Sequence, residues 1–163
     1  SELSYSIISQ IESLETIADS YGLELNHIKA HGALYNQMII DAELSNFYLD
    51  TIKDFKNKCS LCIPYKSEIE KIALKKGFSI IYEVFGDRNY NDDLSLVSRN
   101  NENALITDPE SVVNHIKTMK ETETVKTING NFKKIKFDTI CIHSDTNNSI
   151  EILKKINQEF DES

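Results

Sequence analysis

Apolar residues recur at helical spacing over residues 4–21, at Ile7, Ile11, Leu14, Ala18 and Tyr21, and Gly22 supplies a stop. A short strand is predicted over 25–29, then a helix over 42–56 with Leu44, Tyr48, Thr51 and Phe55 on one stripe. Residues 59–63 form an unbroken, mostly apolar strand that Pro64 ends. A helix over 68–76 is closed by Gly77, and 79–84 is a strong strand. Residues 86–103 are polar and without periodicity, which reads as a long functional or mobile loop. Asp108 is placed to cap a helix over 109–120, with Pro109 in its first turn and Val112, Ile116 and Met119 inward. Asn129-Gly130, between the segments 125–128 and 132–137, signals a hairpin. A core strand over 139–143 and a helix over 148–160 complete the chain. Four buried strands alternating with helices indicate an α/β fold of parallel β/α units, read here as a single domain over 1–163.

Composition narrows the partners. The 163 residues carry 26 acidic and 18 basic side chains, a formal charge of −8, which argues against nucleic acid. No apolar run approaches the roughly 20 residues a membrane span needs. Three cysteines, two of them inside an expected core strand, point to a reducing cytoplasm rather than a disulfide framework. Cys59-Ser60-Leu61-Cys62 matches a C-x-x-C spacing, but positions three apart on a strand face opposite sides.

In parallel α/β folds, ligands bind beyond the carboxyl ends of strands, and the polar clusters lie there. At the first end, Lys29 and His31 are expected on one strand face, with Tyr35 and Asn36 a turn further on. Glu83, Asp87 and Arg88 mark the third end, with Arg99 later in the loop; His143 and Asp145 mark the fourth. His31 suits general acid/base work, and equally a structural histidine bonding a loop carbonyl. Asp145 can share a face with His143 or cap the final helix. Asp87-Arg88 can be an ion pair bracing the loop. Glu83, on a buried strand, needs a partner, for which Lys29 is a candidate.

The stretches Ile28-Lys29-Ala30-His31-Gly32-Ala33-Leu34-Tyr35-Asn36, Glu83-Val84-Phe85-Gly86-Asp87-Arg88-Asn89-Tyr90, Leu96-Val97-Ser98-Arg99 and Cys141-Ile142-His143-Ser144-Asp145-Thr146 together resemble the LamB/YcsF family. The resemblance implies an irregular (β/α) barrel of the glycoside hydrolase/deacetylase-like type, incomplete at its N-terminus. It also implies ATP-dependent opening of the 5-oxoproline lactam to glutamate, with the ATP bound by two partners, 5-oxoprolinase subunits B and C. His31 and His143 would handle protons, Glu83 and Asp145 would orient them, and Lys29 and Arg88 would hold a substrate carboxylate or oxyanion. Tyr35, Asn36, Asp87 and Arg99 would complete the substrate pocket. A divalent metal fits this class of barrel, with no ligands identified in the chain.

The chain departs from the family pattern at Ala30, Ser144 and Asn147, where proline, glycine and proline are usual. Only the C-terminal two-thirds of the pattern is matched, without an Asp-rich opening strand, a Cys-Gly-x-His or an Ala-His-Pro segment. The expectation is completion by a separate N-terminal chain or by a second copy, or else a degenerate and inactive product. A non-catalytic interaction module and a metal-dependent deacetylase-like hydrolase are the rival readings.

Overall fold

The computed structural model describes residues 1–160. It gathers into two compact units, Ser1–Tyr82 and the chain from Glu83 onward.

The first unit contains α1 (Glu2–Ser20), β1 (His27–Ile28), α2 (Gly32–Gln37), α3 (Ala42–Thr51), a 3-10 turn (Lys53–Phe55), β2 (Ser60–Pro64) and α4 (Glu68–Lys76). It ends with the start of β3 (Ile80–Phe85). β1 and β2 pair in parallel, His27 opposite Ser60 and Ile28 opposite Leu61. The Leu61 N–H reaches the Ser79 carbonyl at 2.8 Å, at the approach to β3. Leu49, Ile52, Leu61, Ile69 and Ala73 are buried among these elements. Local chemistry sets the helix ends. Asp41 accepts from the Leu44 N–H at 2.9 Å, Ser67 accepts from the Glu70 N–H at 3.2 Å, and Gly77 takes the left-handed conformation that closes α4.

The helix expected over 42–56 breaks at Ile52, whose ψ of 13° leaves the α-helical ladder. The 3-10 turn that follows carries Phe55 into the core, where Ile52 also lies. The apolar positions of α1 are less buried than their spacing suggests. Ile7 is buried, whereas Leu14, Ile17 and Tyr21 are exposed.

In the second unit, the end of β3 pairs in parallel with β6 (Thr139–Cys141), Glu83 opposite Thr139 and Phe85 opposite Cys141. Between them come α5 (Pro109–Thr122) and an antiparallel pair, β4 (Thr124–Lys126) with β5 (Phe132–Lys134). α6 (Ser149–Phe160) follows β6. Asp108 caps α5 by accepting from the Ser111 N–H at 2.8 Å, and the helix buries Val112, Val113, Ile116 and Met119.

The stretch read as a long loop is folded back on itself. Bridges join Arg88 to Leu105 and Tyr90 to Leu96, and Val97 and Ala104 are buried. Its polarity has a different origin from mobility: the polar groups satisfy one another inside the turn. Asp92, for example, accepts from Thr127, Asn129 and Asn131 and ties the loop to the hairpin turn. Among the described residues, no helix is long and apolar enough to cross a membrane.

Candidate functional site

The turn that follows β3 is built around Gly86. A Cβ there would stand 2.8 Å from the Ile142 side chain and 2.9 Å from that of Ile116. Only a residue without a side chain lets the backbone pass this close. The chain thereby delivers Asp87 into a site where it has no exposed surface.

Asp87 is the organiser of that site. Its Oδ2 accepts from the His143 backbone N–H at 3.0 Å and from the Thr146 hydroxyl at 2.5 Å. The His143 ring places Nδ1 at 3.0 Å from Oδ1 and 3.1 Å from Oδ2. The His143 N–H therefore leaves the sheet, which is why β6 stops at Cys141 rather than at 143. The Phe85 ring stacks on the imidazole, with centroids 5.1 Å apart and planes 10° from parallel.

Burial alone would raise the Asp87 carboxyl, but the hydrogen bonds from His143 and Thr146 outweigh it and hold it below the usual carboxylate range. An ionised carboxylate can only accept, so Nδ1 carries the hydrogen. In the neutral imidazole this leaves Nε2 as an acceptor on a side chain that is 25% exposed. The result is a buried carboxylate aiming a part-exposed histidine, an arrangement suited to proton transfer.

The sequence-based roles shift accordingly. Asp145 pairs with Arg99, at 2.6 and 3.4 Å, while the His143 ring is held by Asp87. Arg88 braces the loop through backbone carbonyls, that of Val97 at 2.7 Å and that of Ala104 at 3.4 Å. Its guanidinium is turned inward and 5% of the residue is exposed. Glu83 is buried in the pairing with β6. Thr146, absent from the candidate set, belongs to the site; no periodicity marks a threonine as the third donor to a carboxylate 59 positions away.

Behind Asp87 and Arg88 lies His115 of α5, face to face with Tyr90 at 6.2 Å. Burial lowers its pKa to about 4 against the opposing pull of a hydrogen bond with the Arg88 backbone. Its Nε2 is buried with no hydrogen-bond partner among the described residues.

The first unit holds its own group. β1 ends at Ile28, so Lys29 and His31 do not alternate along a strand as expected. His31 instead occupies the N-cap of α2 with extended backbone and makes no capping hydrogen bond through its side chain. Gly32, at φ +61°, turns the chain into that helix. Tyr35 is buried, with the Lys29 ammonium 5.8 Å from its ring centre, and Asn36 is exposed. At the end of β2, Lys66 has φ +61°, and its N–H is held by the buried Glu70 carboxylate at 2.6 Å. The same carboxylate accepts from the Tyr82 hydroxyl at 2.6 Å. Cys59 and Cys62 are both buried, and burial raises the Cys59 pKa. Among the described residues, no three His, Cys, Asp or Glu side chains gather to hold a metal ion.

Comparison with known proteins agrees with this architecture. A model described as the LamB/YcsF family matches residues 1–163. The chain is 36% identical over 156 residues to a Pyrococcus abyssi protein named as a 5-oxoprolinase subunit, covering 96% of the chain and 61% of that relative. A Campylobacter jejuni protein of the same name is 37% identical over 151 residues, covering 93% and 59%. The crystal structure of a lactam utilization protein from Thermus thermophilus superposes with a TM-score of 0.89 at 27% identity, over 99% of this chain and 64% of that one. The chain thus spans about three-fifths of the length of the curated relatives it matches.

Proposed function

The chain belongs to the LamB/YcsF family, and on that premise we propose that it acts in hydrolytic opening of a small cyclic amide, 5-oxoproline, to glutamate. The relatives' name supports the substrate, and the word "subunit" in it supports a shared enzyme. In this reading partner subunits B and C bind and hydrolyse the ATP.

The observation that carries the proposal is the Asp87–His143 pair, in which the carboxylate holds Nδ1 of a part-exposed imidazole. Lactam hydrolysis needs water oxygen to attack the carbonyl carbon, the C–N bond to break, and a proton to reach the departing ring nitrogen. His143 Nε2 takes the proton from the attacking water and returns it to that nitrogen. Asp87 fixes the tautomer and stabilises the imidazolium formed in between. Thr146 and the His143 N–H hold Asp87 against rotation.

The test is glutamate formation from 5-oxoproline and ATP by the purified chain with its partner subunits. Wild type is expected to release glutamate, and His143→Ala to slow release by about 10²-fold or more. Near-normal turnover in the variant would remove His143 from the reaction. No glutamate from the wild-type complex would overturn the proposal itself.

A further inference from the structure

We propose that Arg99 receives the carboxylate of the substrate and that Asp145 occupies that place until substrate arrives. The inference rests on the lactam-opening reading and adds its specificity: the preferred substrate class is cyclic amides with a carboxylate beside the ring nitrogen.

Bidentate recognition of a carboxylate calls for a guanidinium, and the chain has two, Arg88 and Arg99. Arg88 is buried and committed to the Val97 and Ala104 carbonyls. Arg99 has a side chain 47% exposed and already grips a carboxylate, that of Asp145, whose side chain is 62% exposed. One of the two contacts is short, at 2.6 Å, and the other slack, at 3.4 Å. Water screens so exposed a pair and leaves it weakly held, so an incoming carboxylate can replace Asp145 at little cost. The pair also stands at the right place. Asp145 lies two residues after His143, in the turn that Asp87 anchors through the His143 N–H and the Thr146 hydroxyl. Carboxylate exchange at Arg99 would bring the substrate ring beside the imidazole.

The test compares KM for 5-oxoproline with the inhibition constant of 2-pyrrolidinone, the same ring without the carboxylate, in the reconstituted complex. Arg99→Gln is expected to raise KM about tenfold, to leave kcat within about threefold, and to leave 2-pyrrolidinone binding unchanged. Arg99→Lys should recover part of the loss. Asp145→Asn, which removes the internal competitor, is expected to lower KM.

Two results would overturn the inference. One is an Arg99→Gln KM within about twofold of wild type. The other is equal weakening of both ring compounds, or Asp145→Asn raising KM as Arg99→Gln does, since the pair would then be a strut. Failure of the underlying reading looks different: the wild-type complex would make no glutamate, and this inference would fall with it.

Discussion

A carboxylate without exposed surface persists in ionised form only if donors replace the water it has lost, and Asp87 has three of them in the His143 ring, the His143 N–H and the Thr146 hydroxyl. Exchange for an amide tests this directly. In Asp87→Asn, one carboxylate oxygen becomes an NH2 group facing donors, and the constraint on the His143 tautomer is lost. Glutamate formation is expected to fall about 10²-fold or more, with a lowered melting temperature. Activity near wild type would show that His143 is aimed by its backbone and by Phe85 alone. His143 is visible in the sequence as a polar residue after a core strand, but its partner is not. Asp145, two residues away, alternates correctly with it, whereas Asp87 is distant in sequence. The tertiary fold chooses Asp87 because β3 and β6 are neighbours and their ends meet.

At the level of elements, the close approach of Gly86, just after β3, to Ile142 and Ile116 fixes where Asp87 emerges. Gly86→Ala forces a methyl group against two side chains, Ile116 being 1% exposed. It is expected to destabilise the protein by about 1–3 kcal/mol in denaturant or thermal unfolding. An unchanged stability would mean that both isoleucines can swing aside. Helix ends are the most legible elements because their signals are local. Ser67 and Gly77 bound α4, and Asp108-Pro109 opens α5, as capping chemistry requires. Strand lengths are less legible. A strand continues only while a neighbour accepts its hydrogen bonds, so β1 and β6 stop short of their apolar patterns. The loop after β3 escapes a local reading for the same reason, because Arg88 finds its carbonyl partners further along its own loop.

Across the whole molecule, stability should fall with acid in two stages. His115 has its pKa depressed to about 4 by burial, so between about 6.5 and 4 the unfolded chain binds a proton that the folded chain refuses. Stability therefore drops as pH falls through that window, by on the order of 3 kcal/mol from this group. Below it, the carboxylates of Asp87, Asp92 and Asp108, all held low by hydrogen bonds in the folded state, are protonated and their contribution is lost. Denaturant unfolding of His115→Gln should show a flatter curve between about pH 6.5 and 4, with the lower stage retained. A slope equal to wild type would assign the upper stage to other groups. By itself the sequence determined the α/β class, most helix boundaries, the family resemblance and the polar clusters that follow the strands. These follow from periodicity, capping and local motif, which act over a few residues. Only the tertiary structure decided that Asp87 holds His143, that Arg88 is a brace and that Arg99 faces Asp145. Those outcomes depend on which buried polar groups find partners across the fold, and burial is a property of the packed chain.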